Sequence, residues 1–506
     1  MQLNLYSTLN KKTAQIKPLH EGKIGLYACG FTVYDYTHLG HLRKYTMDDV
    51  LIRALRYGNA ELGEKIGMNL APYEVTFVQN VTDVGHLASD ADTGEDKLEK
   101  GAKKYGKSVW DIAHEFEEYF FKSMDLMGNL RPDVSCRATE HIEEQLNMVL
   151  ELEKKGFTYV IENDGVYFDT SKFPEYGKMA GLHLDDQEEG ARIGAVEGKR
   201  NPSDFALWKF ERTGENRAMV WPSPWNERSF PGWHIECSAM AMKYLGEQFD
   251  IHTGGIDHIP VHHTNEIAQA EAVTGKQPFV NYWVHHNHLH INSEKMSKSL
   301  GNFYTIDDLK ERGFKPLALR LLFLTAHYQS EMNFTWDNLA GAQKSYDRLL
   351  KQFAELHSSQ SLERSQKASP EERELSKKQA IDYGKQFFDV ITNNLNTPQA
   401  VSILWAVVKD LTLLPEEKHS LLLEFDKILG LGLKTVDRFD DSQSVAQVSE
   451  EFDLPQEISE LIEQRIAARK NKNYEESDRL RDLLLEKGYE VTDWGSDKYS
   501  VKKVAR

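Results

Sequence analysis

The chain has 506 residues, of which 40% are hydrophobic, and this length and composition are typical of a globular protein of several domains. The formal net charge of −18 argues against a protein that coats nucleic acid indiscriminately, although a local basic track could still bind it. Three cysteines, with neither a long apolar run nor a secretion signal, argue against a secreted disulfide scaffold or a membrane helix and predict a cytoplasmic location.

The predicted elements begin with a short buried strand at residues 23–28. After a loop, an amphipathic helix is predicted over 42–55, and a second strand over 74–81. Strand, loop, helix and strand in this order are typical of a parallel α/β sheet. In such a sheet, ligands bind where strands end and helices begin.

The middle of the chain changes character twice. Residues 84–155 are predicted to be mostly helical, for example over 109–127. Residues 158–228 carry short strands among many Gly, Asp and Pro residues, which indicates an insertion that splits the sheet domain. Strand patterns return at 249–252 and 281–284.

Helical patterns dominate from about residue 305 onward. Two polar segments, 357–372 and 436–451, lack core-forming periodicity and are interpreted as linkers. Residues 387–429 between them predict amphipathic helices. Beyond them, residues 456–487 predict a helical hairpin.

Four residues of the types that bind zinc come from distant parts of the sequence. Cys29 follows the first strand, and Cys237 ends the stretch GWHIEC. His262 and Glu266 are four residues apart, so on a helix they would share one face. Two thiols, an imidazole and a carboxylate suit zinc, whereas buried cysteines acting as small apolar side chains are the alternative. Cys136 has no such neighbours and is assigned a structural role.

Two short motifs have the composition of nucleotide-binding segments. HLGH at 38–41 lies at a predicted helix start, where backbone N–H groups favour anions and imidazoles can donate to phosphate oxygens. A capped helix with two surface histidines is the alternative. In KMSKSLGN, Lys295 and Lys298 can wrap a polyphosphate and Gly301 can act as a hinge. A charged surface loop is the alternative there.

Both motifs, in this order with sheet-like segments between them, resemble class I aminoacyl-tRNA synthetases. The stretches CGFTVYDYTHLGH, RNPSDFALWK, WPSPW, PGWHIECSAM, HHTNEIAQ and EKMSKSLGN resemble cysteinyl-tRNA synthetases in particular. The resemblance runs from about residue 20 to 345 and continues more loosely through NNLNTPQA and ARKNKNYEESDRLRD. Residues 57–72 include about ten that the family pattern lacks, and the sequence gives them no role.

The resemblance implies a role for each residue that matches a family motif. The implied zinc ligands, for one Zn²⁺ per chain, are Cys29, Cys237, His262 and Glu266. The implied catalytic residues are His38, His41, Lys295 and Lys298. The implied ATP-binding residues are His38, His41, Gly254, Gly255, Asp257 and Lys298. The residues implied to line the amino-acid pocket are Thr82 and Trp233.

The resemblance also implies an α/β fold, with a Rossmann-type parallel-sheet catalytic domain split by an insertion and followed by an α-helical tRNA-binding region. The expected domains are the first half of the catalytic domain at 1–157, a connective insertion at 158–228, the second half with the signature loop at 229–304, a stem-contact region at 305–356, a helical anticodon-binding bundle at 373–435, and a small C-terminal domain at 452–506.

The implied activity is that of a cysteine–tRNA ligase. Cysteine and ATP form cysteinyl-adenylate and pyrophosphate, and cysteine then moves to the 3′ end of tRNA(Cys), with zinc selecting the substrate thiolate. Mg²⁺ is expected with ATP, and a monomer without membrane association is expected. One rival is an enzyme that passes cysteine to an amino sugar, which would lack the helical tail. A catalytically dead tRNA-binding module is the other rival, and the intact nucleotide motifs argue against it.

Two further clusters leave their alternatives open. The first is a histidine cluster, His285, His286, His288 and His290. If residues 284–291 form one strand, three of these histidines face one side. They could then form a second metal site or a polar strand edge near the nucleotide. A basic patch near the C-terminus suits either a tRNA backbone or salt bridges with neighbouring acidic residues; it comprises Arg465, Arg469, Lys470, Lys472, Arg479 and Arg481.

Overall fold

The computed structural model describes residues 2–84, 96–181, 196–296 and 301–438, and beyond these several short stretches between 458 and 503. The chain divides into two compact units, Met1–Asp437 and Arg438–Arg506. Within the described residues, no helix is both long enough and apolar enough to cross a membrane.

The strands described in the first unit, β1 to β14, are Asn4–Ser7, Lys12–Gln15, Lys23–Thr32, Glu74–Thr82, Val134–Arg137, Thr158–Ile161, Gly165–Phe168, Phe205–Phe210, Ser229–Pro231, Phe249–Gly255, Val280–His286, Leu289–Ile291, Glu294–Lys295 and Met332–Phe334. Its described helices, α1 to α14, are Leu39–Arg56, Ala60–Ile66, Lys97–Tyr105, Val109–Leu126, Ile142–Lys154, Trp233–Leu245, His262–Thr274, Ile306–Glu311, Pro316–Leu324, Trp336–Glu355, Ser359–Lys367, Pro370–Thr392, Thr397–Lys409 and Pro415–Leu429. The second unit contains α15 at Tyr474–Glu486, β15 at Tyr489–Asp493 and β16 at Tyr499–Lys503.

The first unit is built on a sheet of five parallel strands in the order β11–β10–β3–β4–β5. Its four longer strands confirm the four predicted from sequence, and each extends beyond its predicted limits. Most of their residues are buried, on both faces, as expected for a parallel sheet that helices cover on both sides. The short edge strand β5 was missed, since four residues carry too little periodicity to stand out in a helical stretch. The α/β fold class is confirmed.

Strands β6 to β9 form an antiparallel sheet within and just after the segment interpreted as an insertion. The chain then returns to the central sheet through α6, β10, α7 and β11. From α8 to the end of the first unit, the described residues are mostly helical apart from the short strand β14, in agreement with the predicted helical region.

The linker predicted at 357–372 is wrong, because α11 and the first turn of α12 occupy most of it. Ser358 caps α11, and Ser369 forms a capping box with Glu372 ahead of Pro370 at the first helical position. These serines and the proline are helix-start signals, although the polar composition of the segment resembles that of a linker. The linker predicted at 436–451 lies outside the described residues from 439 onward.

Residues 57–72, which have no role predicted from sequence, join the sheet domain to the helical region. Helix α2 packs against α12, with Leu62 and Ile66 facing Gly384. Just before α2, the Tyr57 hydroxyl donates to Glu424 Oε2 on α14 at 2.5 Å. The ring of Tyr57 also lies 4.9 Å from that of Phe388 on α12.

Tyr57→Phe is expected to lower the free energy of unfolding by about 1–2 kcal/mol, because it removes a partly buried hydrogen bond to a carboxylate and leaves the ring contact in place. Urea denaturation of the full chain measures this change. The matched control is Tyr105→Phe, whose hydroxyl contacts only the exposed end of Lys104 in the contacts described. Equal stability of both variants would show that this bond does not join the two regions.

Candidate active site

The site begins at an irregularity near the carboxyl end of β3. A register shift separates Ala28 from Phe31, so Cys29 and Gly30 lie in a bulge opposite Asn80. The amide of Gly30 donates to Asn80 Oδ1 at 2.7 Å, and a Cβ at this position would lie 1.6 Å from the Asn80 carbonyl oxygen. Only glycine permits this approach. The bulge turns Cys29 out of the regular ladder.

The structure brings the four predicted metal ligands together. Cys29 comes from β3, Cys237 from the second turn of α6, and His262 and Glu266 from one face of α7. Their ligand atoms all lie within 4.8 Å of one another, and each side chain is at most 3% exposed. Four residues separated by up to 237 positions thus form one buried set of two sulfur atoms, one nitrogen and one oxygen.

Two histidines that the sequence analysis did not single out share this site. His263 Nε2 lies 3.2 Å from Cys29 Sγ, and His252 Nε2 lies 3.0 Å from Glu266 Oε2. With Cys29 and Glu266 they form a second, overlapping set that could hold a metal. The signal for His252 was a histidine at the last position of the strand pattern predicted at 249–252, because an unpartnered polar side chain in a buried strand is costly.

The ligand set is electrostatically coupled. Burial alone would raise the pKa of the Cys29 thiol, but its hydrogen bond with Cys237 and the facing imidazole of His263 hold that pKa well below its ordinary value. The same hydrogen bond, together with burial, raises the pKa of Cys237. Burial would lower the pKa of His262, yet Cys29 and Glu266 raise it to about 10. Cys237 therefore holds its proton more firmly than Cys29, and a metal ion would have to displace protons from the set.

The two motif histidines lie at the start of α1. His38 is the N-cap, and its Nδ1 accepts hydrogen bonds from the amides of Gly40 at 3.1 Å and His41 at 3.4 Å. The two imidazole rings stack with centroids 3.6 Å apart. Because Nδ1 is an acceptor, the proton of neutral His38 resides on Nε2, where it can be donated to a ligand. Among the described residues, the buried Nδ1 of His41 has no hydrogen-bond partner.

Burial lowers the pKa of His38 to about 4. The imidazole of His38 therefore takes up a proton near pH 6.5 in the unfolded chain but only near pH 4 in the native protein. As pH falls from 6.5 toward 4, protonation favours the unfolded chain, and the free energy of unfolding decreases. His38→Asn keeps a good cap. It should reduce the loss of unfolding free energy between pH 7 and 4 by about 1–2 kcal/mol. Urea denaturation across this pH range measures the slope, and an unchanged slope in the variant would contradict the assignment.

The two predicted pocket residues lie on α6 and β4. Trp233 begins α6, and its ring lies 4.6 Å from that of His262. Thr82 ends β4, is 3% exposed and accepts a hydrogen bond from Asn80 Nδ2 at 3.0 Å. Asn80 therefore links Thr82 to the backbone next to Cys29.

The predicted adenosine-binding turn follows β10. A Cβ at Gly254 would lie 2.4 Å from His263 Cε1, so glycine lets the histidine pack against the strand end. Gly255 ends the strand, and Asp257 is exposed, with Oδ1 3.3 Å from His288 Nε2. These residues lie at the carboxyl end of a central strand, the usual ligand-binding edge of such a sheet.

The signature loop is only partly described. Lys295 is exposed in β13, whereas Lys298 lies outside the described residues. After the loop, the carbonyl of Tyr304 accepts from the amide of Leu39 at 2.9 Å, and Phe303 packs edge-on against His38 at 5.1 Å. The chain leaving the KMSKS segment thus contacts the first turn of α1, which carries HLGH.

The histidine cluster does not lie on one strand, because β11 ends at His286 and β12 begins at Leu289. His285 bonds to His263 and His286 to Asp48, whereas the other two face separate surface carboxylates. Among the described residues, neither set with metal-binding spacing includes any of these four histidines.

Parallel-sheet topology, a helix-start histidine pair and a ligand set at the sheet's carboxyl edge define the catalytic domain of a class I aminoacyl-tRNA synthetase. Residues 15–344 match the family model described as the tRNA synthetases class I (C) catalytic domain. Mycobacterium tuberculosis methionyl-tRNA synthetase bound by methionyl-adenylate shares the fold, with a TM-score of 0.56 and 14% identity over 82% of this chain and 93% of that one. A LeuRS of Agrobacterium radiobacter in a ternary complex with tRNA and LeuAMS gives a TM-score of 0.58, with 11% identity over 83% and 85% of the two chains.

Within that class, the chain belongs to the cysteine–tRNA ligase family. It is 42% identical to the cysteine–tRNA ligase of Treponema denticola over 97% of this chain and 98% of the relative. It is 40% identical to that of Thermus thermophilus, again over 97% and 98% of the two chains. The similarity therefore extends well beyond the catalytic domain, through the helical region.

Proposed function

We propose that this protein joins cysteine and ATP into cysteinyl-adenylate, releasing pyrophosphate, and then transfers cysteine to the 3′ end of tRNA(Cys). The observation that carries the proposal is the buried set of Cys29, Cys237, His262 and Glu266 next to α1. It occurs in a chain that matches cysteine–tRNA ligases along nearly its whole length.

The donor set fits zinc, because two sulfur atoms, an imidazole and a carboxylate within 4.8 Å of one another are ligands that this ion takes. Bound there, zinc would supply a soft Lewis acid that prefers a substrate thiolate to the hydroxyl of serine. Burial keeps water from competing at the ligand atoms. The half-buried ring of Trp233, against His262, would form one wall of the amino-acid pocket.

Activation needs no covalent nucleophile from the protein, since the cysteine carboxylate itself attacks the α-phosphate. The protein holds the two substrates in line and stabilises the charge that develops on the phosphates. His38 can donate from Nε2 because its Nδ1 is occupied by backbone amides. Lys295 and Lys298 would complete the phosphate site, with Mg²⁺ accompanying ATP. Gly254, Gly255 and Asp257 would hold the adenosine.

The helical region and the second unit are proposed to serve tRNA. In the second unit, Arg465 is 2% exposed and does not belong to an exposed basic patch. Arg479 pairs with Glu476, and Arg481 pairs with Asp478, as the salt-bridge alternative predicts. The rest of the patch, Arg469, Lys470 and Lys472, lies outside the described residues, so its contact with a tRNA backbone stays a prediction.

Two further assignments belong to this proposal. All three cysteines are free thiols, which agrees with a reducing compartment such as the cytoplasm. A monomer is the expected active form.

Cysteine-dependent ATP–pyrophosphate exchange and charging of tRNA(Cys) test the proposal together. Both activities are expected in the full-length protein. Exchange without charging, but with transfer of cysteine to an amino sugar, would favour the rival enzyme. Neither activity in folded, zinc-supplied protein would indicate a binding module. Valine in place of cysteine serves as the substrate control, and it should support neither activity.

A further inference from the structure

The backbone carbonyl of Cys29 is held by two side chains of α1. Lys44 Nζ donates to this oxygen at 2.8 Å, and the Tyr45 hydroxyl donates at 3.2 Å. These two donors are needed because the backbone of Cys29 lies outside both strand pairings. The pairing of β3 with β10 ends at Ala28, and the pairing of β3 with β4 is interrupted at Cys29. A buried carbonyl outside a ladder requires other donors.

Lys44 is itself held in place. Its Nζ lies 2.8 Å from Asp48 Oδ2, one turn further along α1, and Asp48 Oδ1 lies 2.8 Å from His286 Nε2 on β11. Burial would raise the pKa of Asp48, but Lys44 and His286 lower it to about 2, so the carboxylate is ionised at neutral pH. Each of these three side chains is at most 12% exposed.

A buried lysine loses its rotamer freedom and much of its hydration, so it persists only where its contacts offset both costs. Here those contacts join two functional elements. Lys44 follows His41 of the nucleotide motif by less than one helical turn, and its charged end reaches the backbone of a candidate metal ligand. The first two turns of α1 therefore connect the phosphate-binding end of the site with the thiol end.

We propose that Lys44, supported by Tyr45 and anchored by Asp48, is a positioning residue that sets the direction of the Cys29 thiol toward His262 and Glu266. The proposal rests on the metal site proposed above. A displaced carbonyl would rotate the bulge and move Cys29 Sγ relative to the other three ligands. Removing a group that hydrogen-bonds to a metal ligand commonly lowers the metal affinity by about 10–100-fold.

The test uses the full chain stripped of metal and titrated with Co²⁺, whose thiolate charge-transfer absorption reports the Cys29 and Cys237 bonds. Lys44→Met keeps the aliphatic stem and removes the donor. It should weaken Co²⁺ binding by about tenfold, alter the charge-transfer band and raise the KM for cysteine more than the KM for ATP. The control is Lys65→Met, which breaks an exposed pair with Glu61 of the same four-residue spacing and should change none of these values.

Tyr45→Phe is a second variant, nearly identical in shape, that removes only the other donor. It should weaken Co²⁺ binding by about threefold, and it decides the question if Lys44→Met does not fold. If the folded Lys44→Met protein kept the Co²⁺ affinity and absorption of the wild type, the positioning role would be overturned, but the metal site would stand. The same result in Tyr45→Phe would overturn the positioning role if Lys44→Met does not fold. A wild-type protein that binds no Co²⁺ would instead overturn the metal site, and the positioning role with it.

Discussion

Cys237→Ser should reduce cysteine-dependent pyrophosphate exchange by at least about 100-fold and release the bound metal at low zinc concentrations, because a hydroxyl is a poor replacement for a thiolate ligand. The structure sharpens this expectation. Cys237 is 2% exposed and forms a hydrogen-bonded pair with Cys29, so its loss also disturbs the second thiol. Exchange kinetics and the zinc content after dialysis measure the two effects.

Cys136→Ser is the matched control for this substitution. Cys136 is also buried, in β5, where its Sγ lies 3.7 Å from the carbonyl oxygen of Gln79, and it belongs to neither candidate ligand set. Its substitution should leave zinc content unchanged and exchange within about threefold of the wild-type rate. Equal losses in the two variants would show that a buried thiol matters here only for packing.

His41→Asn should lower kcat for pyrophosphate exchange by about 100-fold while changing the KM for cysteine little, since a donor aimed at developing phosphate charge acts mainly in the transition state. The ring lies at the helix start, stacked on His38, and burial holds its pKa well below the ordinary value. A neutral imidazole there can donate one hydrogen bond to a ligand without repelling the neighbouring Lys44. Steady-state exchange at varied cysteine and ATP concentrations separates kcat from the two KM values.

The control is His114→Asn, an exposed histidine on α4 that contacts Glu118. It should retain full exchange activity. If His41→Asn raised the KM for cysteine and left kcat unchanged, His41 would belong to the amino-acid pocket and not to the phosphate site.

Much of the fold could be predicted because each central strand carries apolar residues that stand out from the segments on either side. The pattern around Leu26 and Phe77 gave both strands that flank the first crossover helix. The ends of these elements were less accurate, because β3 continues past Cys29 only through a bulge stabilised by Asn80. Such a bulge depends on a contact 50 positions away, which no local pattern records.

Part of the candidate site was predictable, because two residues four positions apart on one helix lie on the same face of that helix. His262 and Glu266 could be paired in this way, whereas Cys29 and Cys237 entered through composition and family resemblance. His263 was missed because it lies next to His262 in sequence, yet both reach the same site from α7. Lys44 was missed because a lysine on an amphipathic helix normally faces solvent.

A metal held by Cys29, Cys237, His262 and Glu266 is expected to select cysteine. The most direct measurement compares cysteine- and serine-dependent pyrophosphate exchange before metal removal, after it, and after zinc is restored. The zinc-loaded protein should prefer cysteine over serine by at least about 10⁴-fold, lose cysteine activation when stripped, and regain it with zinc. Full cysteine activation and undiminished discrimination against serine in folded, metal-free protein would contradict the account.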